Sequence, residues 1–558
     1  MTVGDSHSLS DKGSIAHEEQ IVISSNSPSS SLEKGGCQKS LDALGGDKAA
    51  QILASQQEHV FLTPEDDRRI LRLIDRGVLP VMLLVYFLQQ LDKSSVSYTS
   101  AFDIVGEIGL VGTQYSWLTS IVYVAQLVFQ PLTAYALVRI PVAKWVFFNV
   151  LAWGITVAAS SAARSFAGLI SARLFLGIFE ASVAPAFITI TQMWWRRREQ
   201  TYRTASWNAA NGVCAIFGSL LAFGVGHINN NHIRPYQGIF LFCGCITLVC
   251  TPLIWFFLPD SPTSAKFLKG RDQVLALERL RDNNMGTESK VWKWPQFWET
   301  FRDLKTYLWF ALLFLAALPS GGIGAFGPLI IQGFGFNSFQ SILFNMPFGV
   351  LSIVSIFGGA WLTNKIRLRF PVIILLCCFP IAGSITLLKL GRGEEDKGAL
   401  LAAYYIVSVM GGIQPMLYAW APLNACGHTK KVTTTSVFFI AQCVGNIVGP
   451  LLYKTEMKPR YTQGLIADLA CWCALAILSA LTALYLHYLN ILQAKKRVKV
   501  GKESKIVDTS ILTIEDAARE REARGEGDAE GGTGKRKRNE KAFDDLTDFQ
   551  NEDFVYVL

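Results

Sequence analysis

The sequence predicts an all-α membrane protein with twelve transmembrane helices in two six-helix bundles. Three observations predict it: apolar windows recur twelve times, a charged stretch divides them six and six, and loops alternate between rich and poor in Lys and Arg. Half of the 558 residues are hydrophobic and 17% are charged. A hydrocarbon core of roughly 30 Å is crossed by about 20 apolar helical residues. Windows of that length run near 78–98, 114–137, 143–162, 166–194, 205–227 and 237–258, then near 307–331, 339–363, 370–390, 399–424, 433–453 and 464–492.

The segments follow in order. Residues 1–77 read as a disordered cytoplasmic tail, rich in Ser, Gly and charge, with no early apolar core, so the first span itself serves as the insertion signal. Residues 78–258 make the N-terminal bundle, 259–305 a cytoplasmic central loop, 306–493 the C-terminal bundle and 494–558 a cytoplasmic tail. Clusters such as Arg68, Arg69, Arg72 and Arg76, then Arg196 to Arg198, then Lys430 and Lys431 fall on one side of this plan. Cations favour cytoplasmic loops, so both termini are expected in the cytoplasm. Trp194 and Trp195, at the end of the fourth window, read as an interfacial aromatic belt. A weak internal repeat pairs Asn208-Ala-Ala-Asn211-Gly212 in span five with Gln442-Cys-Val-Gly445-Asn446 in span eleven. These positions put amides beside small residues on one helical face, where helices approach closely and amides line a cavity or bond across it.

Composition excludes several classes. The formal net charge of +8 comes largely from loop Lys and Arg, which set topology and give no nucleic-acid stripe. All cysteines but Cys37 fall in or beside apolar windows, without metal or disulfide spacing. No metal or cofactor motif, P-loop or Ser/His/Asp set emerges, so neither an enzyme nor an ATP-driven pump is expected.

Chemistry concentrates in four charged residues inside otherwise apolar windows: Asp92 and Lys93 in span one, Arg173 and Glu180 in span four. A charge at bilayer depth costs roughly 2.5 to 3.5 kcal/mol on insertion scales, so such residues need partners or a wet path. At 1.5 Å per residue, Asp92 lies about 21 Å from the cytoplasmic entry and Arg173 about 10 Å from the outer one, close to the same level. An Asp92–Arg173 pair is therefore expected, as a mobile charge pair or as a static bridge fixing helix packing. Burial favours the neutral form of a carboxylate and a neighbouring cation favours its charged form, so making and breaking such a pair moves a proton. Asp92 and Glu180 become candidate proton carriers. Lys93 and Arg173 become candidate anion ligands, unless Lys93 snorkels to the outer interface. Asn211 and Gln442 are further candidate cavity residues.

The ordered set Leu91-Asp-Lys-Ser-Ser-Val-Ser-Tyr98, Gln114-Tyr-Ser-Trp117, Arg173-Leu-Phe-Leu-Gly-Ile-Phe-Glu180, Leu258-Pro-Asp-Ser-Pro262, Asn424 through Lys431, Gly445-Asn-Ile-Val-Gly-Pro450 and the closing Asn551 to Leu558 resembles the fungal allantoate permease family. That family is the anion:cation symporter branch of the major facilitator superfamily. The resemblance implies a monomeric, lipid-embedded protein that moves small organic anions or related nutrients together with protons, by alternating access, across the plasma membrane. It assigns proton coupling to Asp92 and Glu180 and substrate contacts to Lys93, Arg173 and Gln442. It also implies gating loops between spans two and three and between spans eight and nine, here Tyr135 to Lys144 with Arg139 and Lys144, and Gly358 to Lys365 with Asn364 and Lys365. Export of a pathway metabolite and nutrient sensing are the alternative readings.

Overall fold

The computed structural model describes residues 63–100, 104–111, 114–226, 234–281, 292–453, 460–502 and 545–558, and their regular structure is helical. Helix α1 (Pro64–Gly77) precedes a first bundle made of α2 (Leu79–Ser100), the short α3 (Ile104–Ile108), α4 (Gln114–Arg139), α5 (Val142–Ser160), α6 (Phe166–Glu180), α7 (Val183–Trp194), α8 (Arg197–Gly226) and α9 (Pro235–Phe257). The central stretch holds α10 (Arg271–Arg281) and α11 (Trp294–Arg302). The second bundle contains α12 (Leu304–Gln332), α13 (Ser338–Ile366), α14 (Phe370–Lys389), α15 (Lys397–Val407), α16 (Ile413–Trp420), α17 (His428–Leu451) and α18 (Thr462–Lys499).

Eleven helical segments among the described residues are long and apolar enough to cross a membrane, with α6 and α7 forming one and α15 and α16 lying in another. The twelfth expected span is α2. Its 22 residues reach about 33 Å, but Gln89, Gln90, Asp92, Lys93, Ser94, Ser95 and Ser97 lower its apolar content. Two spans are broken at matching places, one in each bundle. Pro185 and Pro415 each lack an N–H for the preceding turn, and the helix gives way just before them, at 181–182 and at the 3-10 turn Ser408–Gly412. Glu180 is the last residue before the first break.

The bundles meet along α8 with α13 and α4 with α17. The α8 and α13 backbones approach so closely that a Cβ on Gly212 would lie 2.5 Å from the Gly349 carbonyl oxygen. Only glycine fits there.

Two expectations about the chain near the helix ends are corrected. Residues 64–77, expected to be disordered, form a helix: the Thr63 side chain caps it, Pro64 opens it, Glu65, Asp66 and Asp67 occupy its first turn, and Ile70 and Ile74 are buried. Trp194 and Trp195 are fully buried and form no interfacial belt. Trp194 stacks on Phe267 at 5.8 Å, and the Trp195 indole donates to Asp75 Oδ1 at 2.8 Å. The Ser-rich tail, Cys37 and the gaps between described segments lie outside the described residues.

Ion pairs tie α1 to the first bundle. Arg279 on α10 is fully buried, donating to Asp67 of α1 at 2.8 Å and to Glu199 of α8, while Arg203 holds Asp75 at 2.6 Å. On the other half, α11 turns Gln296 and Thr300 inward and exposes Trp294 and Trp298.

Gly212→Val is expected to destabilise the fold by about 1 to 3 kcal/mol through overpacking, read as a lower melting temperature of the purified protein.

Candidate functional site

The interior of the first bundle separates the four charged residues into two groups, because Asp92 and Lys93 are neighbours on α2 and point about 100° apart around it. Asp92 is fully buried and faces α5 and α9. Its Oδ2 accepts from the Trp153 indole at 3.0 Å and from the Thr247 hydroxyl at 3.1 Å, whereas Oδ1 is buried with no hydrogen-bond partner among the described residues.

Arg173 reaches the same level as Asp92 but binds differently from the expected ion pair. Its guanidinium donates to the Asp92 backbone carbonyl at 3.2 Å and to Ser95 Oγ at 2.8 Å, and lies 5.1 Å from the Phe240 ring centroid. Ser95 Oγ in turn donates to the Asp92 carbonyl at 2.6 Å. The Asp92 and Arg173 side chains form no ion pair within 4 Å, so this cation pins the α2 backbone to α6. The reason is azimuth: the α2 carbonyl and Ser95 face α6, and the Asp92 carboxylate turns away.

Lys93 pairs instead with Glu180. Its Nζ lies 3.4 Å from Glu180 Oε2 and 5.7 Å from the Tyr123 ring centroid, so the alternative of snorkelling to the interface does not describe it. The Glu180 side chain is fully buried while that of Lys93 keeps 18% exposure. Gln126 of α4 donates to the same Oε2 at 3.4 Å, and Glu180 Oε1 is buried without a hydrogen-bond partner among the described residues. Gln89 donates to the Glu180 backbone carbonyl at 3.3 Å, occupying an acceptor at the broken end of α6. Seven residues separate Arg173 from Glu180 on one face of α6, which allows one helix to serve both groups.

The second bundle contributes neutral polar groups. Gln442 on α17 accepts from the Tyr418 hydroxyl at 2.7 Å, and Tyr418 stacks on Trp207 of α8 at 5.9 Å. Tyr86 packs edge-on against Trp207 at 4.9 Å and donates to Asn208 at 3.4 Å, with Asn211 also beside its hydroxyl. Next to Gln442, Cys443 lies 3.9 Å from Gln126, and this contact joins the bundles beside Glu180. Lys93, Glu180, Asn211 and Gln442 therefore belong to one aromatic and amide-lined region, with Asp92 and Arg173 behind it. Ser95, Trp153, Thr247, Tyr123 and Gln126 were missed from the sequence. Gln126 could have been found, with Gln130, as one of two amides in an apolar run; the indole and hydroxyl donors carry no such signal.

The four expected gating residues lie elsewhere. Arg139, Lys144 and Lys365 are exposed and Asn364 is half-buried. Arg139 sits over Tyr135 at 5.6 Å and Lys365 over Trp361 at 5.0 Å, each an aromatic of its own helix. From the resemblance-bearing motif at 258–262, Asp260 accepts from the Ala143 N–H at 3.1 Å and caps α5.

Comparison with known proteins agrees with this architecture. The sequence profile of the Major Facilitator Superfamily matches residues 82–450. An uncharacterized transporter of Schizosaccharomyces pombe is 32% identical over 92% of this chain and 94% of its own length. The allantoate permease of Saccharomyces cerevisiae is 27% identical over 91% of this chain and 90% of its own. Among solved structures, the proton:xylose symporter XylE, at 11% identity, matches with a TM-score of 0.59 over 74% of this chain and 96% of its own. The fold is that of a multi-pass membrane transporter. The chain belongs to the Major Facilitator Superfamily, and it is a secondary transporter of small organic substrates.

Trp153→Phe keeps an aromatic ring but removes one donor from Asp92. It is expected to cost about 1 to 3 kcal/mol, checked by thermal melting, with Thr247→Val giving a loss of the same order.

Proposed function

We propose that the protein is a proton-coupled symporter of a small organic anion, working by alternating access, with Lys93 and Glu180 at its coupling centre. The observation that carries this reading is the 3.4 Å pair between a fully buried carboxylate and a partly exposed ammonium. Lys93 offers a cation to the aromatic and amide-lined region, and a substrate carboxylate competes with Glu180 for it. When the anion takes Lys93, the displaced Glu180 carboxylate has lost its counter-charge inside the protein and takes a proton. Anion and proton then travel as a neutral set. Release on the other side restores the ion pair.

In this reading Arg173 holds α2 and α6 in register, Asn211 and Gln442 contact the substrate's polar groups, and Asp92 is a second proton-carrying group held by Trp153 and Thr247. Arg139, Lys144, Asn364 and Lys365, expected on loops, lie at the ends of α4, α5 and α13 and keep the role of gating residues that influence turnover. The protein acts as a monomer in the plasma membrane with both termini in the cytoplasm, a placement supported by the loop cations. Anionic substrates are supported by the likeness to an allantoate permease together with Lys93. The two bundles rock about the site, as in transporters built from repeated bundles.

Reconstituted protein is tested with labelled allantoate, vitamin carboxylates and amino-acid derivatives at acidic and neutral external pH. Uptake of the accepted anion is expected to rise as external pH falls, since the carrier must be protonated outside. Glu180→Gln is expected to lose pH-driven accumulation and retain exchange, and full concentrative uptake by that variant would refute the coupling role. Lys93→Ala is expected to raise KM about tenfold or more, in line with removal of a charged hydrogen-bond donor worth roughly 1.5 to 3 kcal/mol.

A further inference from the structure

The last fourteen residues, 545–558, are not a solvated tail. Thr547, Asp548, Asn551, Phe554, Tyr556 and Val557 are all at most 3% exposed. The segment runs across the ends of the second bundle on the side that carries α1. The Val557 N–H donates to Asn424 Oδ1 at 2.8 Å, and the Val557 carbonyl accepts from the Trp420 indole at 2.8 Å. Asn490 of α18 both donates to and accepts from the Tyr556 backbone, each at 2.8 Å. The Leu558 carbonyl accepts from the Arg369 N–H at 2.9 Å. Such pairing with a peptide backbone is recognition of an extended chain.

A buried charge cluster anchors the other end of the segment. Asp548 binds Lys305 of α12 and Lys430 of α17, the latter at 2.7 Å, and accepts from the Tyr556 hydroxyl at 2.9 Å. Asp303 and Glu299 complete the cluster, 3.1 and 2.9 Å from Lys430. Burial opposes the Asp548 charge, and the two lysines overcome it, holding the carboxyl below the usual carboxylate range. A depressed carboxyl stabilises the docked form above its unfolded pKa and loses that contribution only as pH falls through the lower folded value, so the anchor stays charged at neutral pH.

The seat lies where the bundles touch. Arg197, at the start of α8 in the first bundle, donates to the Leu423 carbonyl at 2.5 Å and lies 5.0 Å from the Phe554 ring centroid. Arg369, whose backbone holds Leu558, reaches back with its guanidinium to Thr201 of α8 at 3.4 Å. Opening this side requires α8 to leave Leu423, Phe554 and Arg369 together. We propose that residues 545–558 are an intramolecular ligand that latches the gate on this side shut, seated in a built site for an extended, acid-bearing peptide with an aromatic and aliphatic end. The proposal rests on the alternating-access reading, though on neither the substrate nor proton coupling.

The test uses full-length protein in which Cys443 is the only remaining cysteine, with its maleimide labelling rate in detergent as the readout. Cys443 is 3% exposed at the contact between bundles, so it reports separation of the bundles away from the peptide. Phe554→Ala is expected to raise the rate roughly tenfold, a change of the size of one desolvated cation-aromatic contact. Truncation after residue 544 is expected to raise it further, and a synthetic peptide of residues 545–558 added in trans is expected to restore protection. Asp548→Asn in that peptide weakens the rescue. Unchanged labelling in monodisperse Phe554→Ala protein would overturn the proposal even if the truncated chain fails to fold, as would failure of the peptide to protect a folded truncated chain. Neither outcome bears on proton coupling, because no substrate is present.

Discussion

The pair formed by Lys93 and Glu180, 3.4 Å apart and shut away from bulk water on the carboxylate side, is the contact around which the interior of the first bundle is arranged. Charge within an apolar bundle persists only with partners, and removing one member of a buried pair typically costs about 3 to 5 kcal/mol. That constraint shapes what surrounds it. Glu180 ends α6 where Pro185 interrupts the span, Gln126 approaches from α4, and Gln89 occupies the carbonyl at the break. The pair is thus set at a discontinuity in one helix and within reach of the opposite bundle through Gln126 and Cys443.

Around this centre the remaining charged residues also tie helices together. Arg173 binds a backbone carbonyl and a serine hydroxyl, tying α2 to α6, while Asp92 takes two neutral donors from α5 and α9. These contacts fix the helix that presents Lys93. On the side carrying α1 and the C-terminal segment, separate networks organise each bundle: Arg279 with Asp67 and Glu199 in one, Lys305 and Lys430 with Asp548 in the other. The first joins α1 and α10 to α8, and the second joins the C-terminal segment to α12 and α17. Between them, Arg197 of α8 donates to the Leu423 carbonyl and Arg369 donates to Thr201 of α8.

Much of this was legible in the sequence because lipid imposes length and composition. Span positions, the two-bundle plan and the shared level of Asp92 and Arg173 followed from counting residues at a fixed rise. Rotation about the helix did not follow. The Asp92 carboxylate faces Trp153 and Thr247, so Arg173 found the carbonyl instead, and Lys93 turned inward to Glu180. Trp153 reads as one more apolar residue, yet its indole N–H is a principal partner of Asp92. The helix at 64–77 was concealed by its charge, although Thr63, Pro64 and the acidic first turn spell its start. The C-terminal segment was concealed by the charged stretch before it, and its partners lie more than 50 residues away along the chain.

The proposed function rests on linkage between anion binding at Lys93 and proton uptake at Glu180. Calorimetric titration of the purified protein with its accepted anion, allantoate being the first probe, in buffers of differing ionisation enthalpy counts the protons taken up per anion bound. Uptake of about one proton per anion is expected near neutral pH in the native protein and essentially none in Glu180→Gln that still binds. Anion binding with no proton uptake by the native protein across the neutral range would contradict it.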